Sequence, residues 1–295
     1  MKHIPRLVPL LAVVVLARSA SPTPPIADLP RGSLVIVGGG ERSNAMMRRF
    51  VELAGGRGAR IAVVPNASSA PEETGRDLVA ELDSLGARAF VYYIDRRTAA
   101  TEASARGLDS ATGIWFSGGD QVRVTAALAG TPVLRAMRRR YQEGAVVGGT
   151  SAGAAIMSDS MITGNQTPPG DTTGYYGDEY PAIARHRVEI VPGLGFLPQA
   201  IVDQHFIRRE RHNRLLSAVL ERPSLLGVGI DESTALEVGP DGRWRVLGES
   251  SVVIYDARRA HMTDGGQPLL GATELRVHVL PAGGVFDPKT GDGNL

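Results

Sequence analysis

Apolar residues in this chain fall into short runs separated by segments in which they recur every three or four positions. The runs at 33–37 (SLVIV), 60–64 (RIAVV), 89–94 (AFVYYI), 113–116 (GIWF) and 145–148 (AVVG) are short and rich in β-branched and aromatic residues, so they predict strands. Between them, 44–54, 71–85, 122–129 and 132–143 carry helical spacing. Strands that are apolar on both faces, alternating with helices, predict an α/β fold with a parallel sheet and helices on both sides. Ligands of such sheets bind beyond the carboxyl ends of the strands. The loops predicted at that rim are 38–41, 65–69, 117–121 and 150–153. Parallel sheets need tight Gly-rich turns there whether or not a ligand binds, so the turns alone assign no function.

Past residue 153 the alternation weakens. Residues 163–180 (TGNQTPPGDTTGYYGDEY) predict a long loop of the kind that often closes over a site. Later strands are predicted at 225–230, 234–238, 244–247, 251–255 and 275–279, with a hairpin turn at Asp241-Gly242. They are expected to extend the same sheet, which makes 32–295 one domain.

The first residues follow another pattern. Lys2 and Arg6 precede an apolar run at 7–17, and Ala17-Arg18-Ser19 offers a small-x-small cleavage site. That order predicts a secretory signal peptide over 1–19, followed by a Pro- and Ser-rich linker over 20–31. The run falls short of the roughly 20 residues a membrane-spanning helix needs. The expected destination is the periplasm or the medium, with no membrane contact after cleavage.

Composition narrows the chemistry. The chain has 295 residues, 43% apolar and 21% charged, enough for one large core. Lys plus Arg number 32 against 31 Asp plus Glu, a balance with no pull toward nucleic acid or an anionic membrane. Losing the leader removes Lys2, Arg6 and Arg18 and no acid, so the mature chain turns slightly acidic. There is no cysteine, which excludes disulfides, a thiol nucleophile and a thiolate zinc site. There is no H-E-x-x-H and no phosphate-binding P-loop, and Gly38–Ser43 lacks the third glycine of the dinucleotide fingerprint. No metal and no cofactor is expected.

The strongest local signal is Gly149-Thr150-Ser151-Ala152-Gly153, a G-x-S-x-G placed after an apolar strand and before a run of small residues. A serine at a sharp strand-to-helix turn is held in a strained backbone that lifts its hydroxyl above the sheet, and only small neighbours fit around it. The helix that follows would also favour negative charge nearby. A serine hydroxyl needs a base to become nucleophilic. After the leader the histidines are His186, His205, His212, His261 and His278. His205 ends an apolar stretch (IVDQH), where it would share the rim with Ser151. His278 lies inside a strand, His186 and His261 have no catalytic neighbour, and His212 in the Arg-rich segment stays a rival. The base needs an orienting carboxylate. Asp231-Glu232 follows the strand at 225–230 directly; Asp171, Asp178 and Glu179 in the long loop compete. For the oxyanion, the amide of Ala152 is the natural first donor and Gly119 the candidate second. Arg208, Arg209, Arg211 and Arg214 cluster after His205, and guanidinium forks suit an acidic substrate as well as they suit a solvated helix face.

Several separated segments together resemble one family, the cyanophycinases, relatives of peptidase E, the aspartyl dipeptidase. The matching pieces are VGGGE at 37–41, VVPNASS at 63–69, FSGGDQ at 116–121, GGTSAGAAIMSD at 148–159, DQHFIRRERHNRL at 203–215 and GVGIDESTALEV at 227–238. They stand in family order over nearly all of 33–238, and the D-Q-H-F-x-x-R-x-R-x-x-R-L segment points to the cyanophycinases rather than to peptidase E. The resemblance implies a class I glutamine-amidotransferase-like, flavodoxin-like three-layer α/β sandwich, with serine in place of that fold's usual cysteine. It implies Ser151 as nucleophile, His205 as base and Glu232 as the carboxylate that orients it. It implies a substrate pocket of Gln121, Asp203, Gln204, Arg209, Arg211 and Arg214, with Asp203 meeting a substrate guanidinium and the arginines meeting aspartyl carboxylates. The implied substrate is cyanophycin, a polyaspartate with arginine on each side-chain carboxyl, cleaved to β-aspartyl-arginine dipeptides. The implied assembly is a homodimer. The stretch after the serine motif departs from the family: 161–170 (MITGNQTPPG) carries no acid. That departure keeps open a dipeptidase for short aspartyl or isoaspartyl peptides. A secreted binding protein on the same scaffold is the non-enzymatic alternative, against which the intact Ser151, His205 and Glu232 set argues.

Overall fold

The computed structural model describes residues 29–166, 180–263 and 266–295. The expected leader at 1–19, most of the expected linker at 20–31 and the centre of the expected loop at 163–180 lie outside these residues. The first half alternates strand and helix: β1 (Leu34–Val37), α1 (Asn44–Leu53), β2 (Arg60–Val64), α2 (Pro71–Ser84), β3 (Arg88–Val91), α3 (Arg96–Ala99), α4 (Glu102–Arg106), β4 (Gly113–Phe116), α5 (Gln121–Leu128), α6 (Pro132–Glu143), β5 (Val146–Thr150) and α7 (Ala152–Ala155). The sequence pattern did not predict the two short helices α3 and α4. Side-chain caps set several helix starts. Ser43 accepts from Met46 N–H, Asp120 from Val122 N–H and Thr131 from Leu134 N–H.

The remaining elements are β6 (Ser160–Gln166), β7 (Val188–Pro192), β8 (Ala200–Gln204), α8 (His212–Glu221), β9 (Leu226–Ile230), β10 (Thr234–Val238), β11 (Trp244–Gly248), β12 (Ser251–Asp256), β13 (His261–Met262), β14 (Ala272–Thr273), β15 (Arg276–Pro281), β16 (Val285–Asp287) and β17 (Asp292–Asn294). The main sheet runs β17-β16-β11-β10-β1-β5-β4-β2-β3. Its β1, β5, β4, β2 and β3 are mutually parallel, and β10 pairs antiparallel on the other side of β1. Leu34 and Ile36 enter one apolar cluster, with α5, α6 and α7; Val35 and Val37 enter another, with Phe50 and Leu78 of α1 and α2. This is why β1 is apolar throughout: both its faces are covered. On the α1 side, the Phe50 and Trp115 rings meet edge to face at 4.8 Å.

Two expectations need correction. The late strands do not all extend the first sheet: β8, β9, β12 and β15 form a second sheet in the order β15-β12-β9-β8. It packs against the α5–α7 side of the main sheet through Val202, Val228, Ile230 and Ile254 and carries α8 on its outer face. Residues 163–180 are also not loop from their start, because β6 runs to Gln166 and pairs antiparallel with β7. Among the described residues no helix is long and apolar enough to cross a membrane.

Candidate active site

Chain corners after four strands meet at one rim: Gly38–Gly40 after β1, Ser151 after β5, His205 after β8 and Glu232 after β9. In-register pairing sets this up. Val37 lies opposite Thr150, and Gln204 opposite Ile230. The next residues in each strand therefore leave the sheets side by side. Residues 231–233 form the corner by which the chain crosses from the second sheet to β10 of the first.

Ser151 adopts φ 54°, ψ −109°, a backbone that side-chain-bearing residues rarely hold. Its N–H is tied to Val37 O at 3.0 Å, so it is spent on the turn. Its Oγ stands 2.9 Å from His205 Nε2. His205 also has positive φ, 50°, and its N–H donates to Gly38 O at 2.7 Å. His205 Nδ1 lies 2.7 Å from Glu232 Oε1. A carboxylate can only accept, so Nδ1 carries the proton and Nε2 turns a lone pair to the serine hydroxyl. Burial pushes the His205 pKa below the ordinary imidazole value of 6.5, Glu232 draws it back up, and the charges of Arg209 and Arg211 push it down again. The ring is therefore neutral at pH 7 and able to take a proton.

Two glycines allow close approaches at this rim, one against the relay and one against a neighbouring loop. Gly39 has φ +114°, and a Cβ there would lie 2.2 Å from Cε1 of the His205 ring. Gly119 has φ +132° and runs against the 65–69 loop, where a Cβ would meet Ala67 O at 2.0 Å. Ala152 is the first residue of α7, where the helix offers its N–H no acceptor. α7 is only four residues long, so it supplies that free amide rather than the dipole of a full helix.

The sequence-predicted pocket residues fare differently from one another. Gln121 is buried and donates to Ile162 O and Thr163 O of β6 at 3.0 and 2.7 Å, which ties the start of α5 to that strand. Gln204 is buried and its carbonyl accepts from Arg211 Nη1 at 2.8 Å. Asp203 is fully buried and forms a two-pronged pair with Arg214, Nε to Oδ2 at 2.7 Å and Nη2 to Oδ1. Arg214 is itself 1% exposed and lies over the Tyr180 ring. Asp203 thus meets a guanidinium of this chain where a substrate guanidinium was expected; Arg214 gives Nε and Nη2 to that pair, while its buried Nη1 has no hydrogen-bond partner among the described residues. Arg211 is buried with Nη1 3.9 Å from Asp203 Oδ1, while Arg209 is exposed beside the base. The remaining histidines lie apart: His212 bonds Tyr255 Oη at 2.7 Å, His278 meets the Phe286 ring edge to face, and His186 and His261 are exposed. Asp171, Asp178 and Glu179 fall outside the described residues.

Sequence reasoning assigned no role to Gly39, and offered Asp231 only as part of the acidic pair that could orient the base. Asp231 accepts from Ile207 and Arg208 N–H and from Ser250 Oγ, which fixes the turn after His205. The acidic pair therefore divides its labour: Asp231 holds the backbone and Glu232 holds the ring.

Comparison with known proteins agrees with this geometry. Residues 33–243 match the family model described as Peptidase family S51. The chain is 38% identical over 271 residues to a cyanophycinase of Synechococcus elongatus, covering 88% of this chain and 80% of that one. It is 35% identical over 270 residues to a cyanophycinase of Geminocystis herdmanii, covering 88% and 95%. Among solved structures, a peptidase from an acI-B1 Actinobacterium shares the fold, with a TM-score of 0.65 at 23% identity over 87% of this chain and 96% of that one. The match across most of the chain, on a sheet that presents a serine on a strained turn, establishes that this protein belongs to peptidase family S51 and is a serine-type peptidase.

Proposed function

We propose that the protein hydrolyses the aspartyl backbone of cyanophycin to β-aspartyl-arginine dipeptides through an acyl-enzyme on Ser151. The observation that carries the reading is the relay Ser151 Oγ–His205 Nε2 at 2.9 Å and His205 Nδ1–Glu232 Oε1 at 2.7 Å, in a chain 35–38% identical to the two cyanophycinases above. In the first half-reaction Ser151 Oγ bonds to the carbonyl carbon while its proton passes to His205 Nε2. The Ala152 and Gly119 amides take the oxyanion. His205 then returns the proton to the departing amine as the C–N bond breaks. Water, deprotonated by the same imidazole, attacks the ester and frees the acid, and Ser151 recovers its proton. Glu232 keeps the ring in the accepting tautomer and balances its transient charge.

Export by the 1–19 leader and assembly as a homodimer belong to the same reading. The test is incubation of the mature protein and its Ser151→Ala variant with insoluble cyanophycin, with soluble products read by mass. Dipeptide release by the wild type alone, with the variant slower by about 10⁴–10⁶, supports the reading. A folded wild type that releases nothing from the polymer but cleaves short aspartyl peptides overturns the polymer substrate. Equal rates for the two proteins overturn the nucleophile.

A further inference from the structure

A cavity of about 200 Å³ lies between α2 and the nucleophile turn, lined by Arg42, Thr74, Asp77, Leu78, Glu81, Ser117, Gly118 and Thr150. Thr74, Asp77, Leu78 and Glu81 are spaced as one stripe of α2, so the helix turns a single face to it. The inner wall belongs to the active site. Thr150 precedes Ser151, and a Cβ on Gly118 would stand 3.4 Å from Ser151 Cβ. The cavity lies on the α1–α2 side of the sheet, away from the Asp203–Arg214 pair and from Gln121.

Its polar groups are unevenly spent. Arg42 Nη2 holds Glu81 Oε2 at 2.8 Å. Asp77 has no cation within ion-pair distance among the described residues, so the lining as a whole keeps one unbalanced negative charge. At the inner end Ser117 is 1% exposed, and its hydroxyl has no hydrogen-bond partner. A buried hydroxyl left without a partner costs about 1–3 kcal/mol, and a ligand N–H at that point would remove the cost. The volume is below that of a pocket for a drug-sized molecule, about 300–1,000 Å³, so it fits one side group. Leu78 gives the only large apolar surface, suited to a short methylene stem.

We infer that this cavity is the subsite for one arginyl group of the substrate, with Asp77 receiving the guanidinium at the mouth and Ser117 Oγ accepting an N–H at the inner end. This rests on the cyanophycin reading above, because it supplies the guanidinium that the reading's substrate carries. It also offers a guanidinium acceptor where Asp203, already paired, does not. Asp77 acts here on specificity and takes no part in the bond-breaking step.

The experiment compares two synthetic β-aspartyl oligomers, one bearing arginine and one bearing citrulline, which replaces the guanidinium by a neutral urea of the same shape. Wild type is expected to prefer the arginine oligomer in kcat/KM by at least about tenfold, the range of one charge-assisted hydrogen bond. Asp77→Asn is expected to lose that factor on the arginine oligomer, mainly in KM, and nothing on the citrulline oligomer. Glu72→Gln, on the exposed first turn of the same helix, is expected to change neither. Equal loss on both oligomers, or no loss on either, overturns the subsite while leaving the hydrolase reading intact. If wild type cleaves neither oligomer, the substrate reading fails and the cavity is judged by binding. Nα-acetylarginine is then titrated into Ser151→Ala protein by NMR, with and without Asp77→Asn. A tenfold weaker dissociation constant in the double variant supports an arginyl site, and an unchanged or unmeasurable one overturns it.

Discussion

Gly39→Ala tests the relay without touching any of its three side chains. In the structure a Cβ at residue 39 would lie 2.2, 2.5 and 2.7 Å from Cε1, Nε2 and Nδ1 of His205, whereas ordinary contact begins at 3.4 Å. The imidazole must therefore retreat by about 1.2 Å. It is held at both ends, by Ser151 at 2.9 Å and Glu232 at 2.7 Å, and a retreat of that size cannot preserve both bonds. A misplacement of about 1 Å is worth on the order of 10²-fold in rate, so kcat should fall at least that far, with KM changed much less. Alanine at φ +114° also strains the backbone, at about 1–3 kcal/mol. Gly56→Ala separates the two effects. Gly56 has φ +61° with nothing within 4 Å of a new Cβ, so it carries backbone strain without a clash. Steady-state kinetics, thermal melting and labelling by a serine-directed phosphonate would be run on both variants. The expected outcome is two destabilised proteins, of which only Gly39→Ala has lost turnover and slowed labelling. A Gly39→Ala protein within threefold of wild-type kcat would refute the placement of His205 as base.

Asp203→Asn keeps the side chain's shape but strips Arg214, 1% exposed, of its counter-charge. Breaking a buried pair from one side costs about 3–5 kcal/mol, and thermal denaturation should show a melting temperature lower by roughly 10 °C. The pH profile follows from the depressed His205 pKa. The neutral ring is the active form, so kcat/KM is full above that pKa and falls as pH drops through it, with the acid limb below pH 6.5. Arg209→Gln removes a positive charge that lowers this pKa and should move the limb to higher pH; a limb that stays in place contradicts the assignment. Intact-mass analysis of exported protein should give a chain beginning at Ala20, and retention of residues 1–19 in the exported form would refute the leader.

The Ser151–His205–Glu232 relay was legible partly from local signals and partly only through the family resemblance. Ser151 stands in a motif whose small neighbours are required by its own turn. His205 directly follows the apolar strand β8 and Glu232 belongs to the acidic pair after β9, and strand ends define the rim in this architecture; the residues alone left open which acid of the pair turns to the base. The five parallel strands were legible for a similar reason: burial on both faces leaves a continuous apolar run that a short strand cannot disguise. Helices α1, α2, α5 and α6 showed helical spacing, whereas α3 and α4, of four and five residues, are too short to display a period. What was hidden is non-local. β9 and β10 are separated by a three-residue corner and read alike in sequence, yet β9 pairs with β12 and β8 while β10 pairs with β1. Side-chain period is the same in either sheet, so nothing in the strands themselves records which sheet they join.

The Asp203–Arg214 pair has the same origin and a larger consequence. Strand β8 delivers Asp203, and the reversal into α8 brings Arg214 back over it, eleven residues later. In sequence, both residues sit beside a catalytic base and read as ligands. In three dimensions the two form a buried ion pair, with Arg214 over the Tyr180 ring, where an unpaired charge would be costly. The arginine-rich segment is therefore two structures in one: a buried part that fixes the floor of the site, and Arg209, exposed at its edge, whose charge tunes the imidazole. A substrate carrying its own guanidinium must find another carboxylate, and at this rim the α2 stripe ending on Glu81 offers one in Asp77. Specificity for a cationic side group and stability of the site floor are then carried by different acids, so substitution of one should leave the other's property intact.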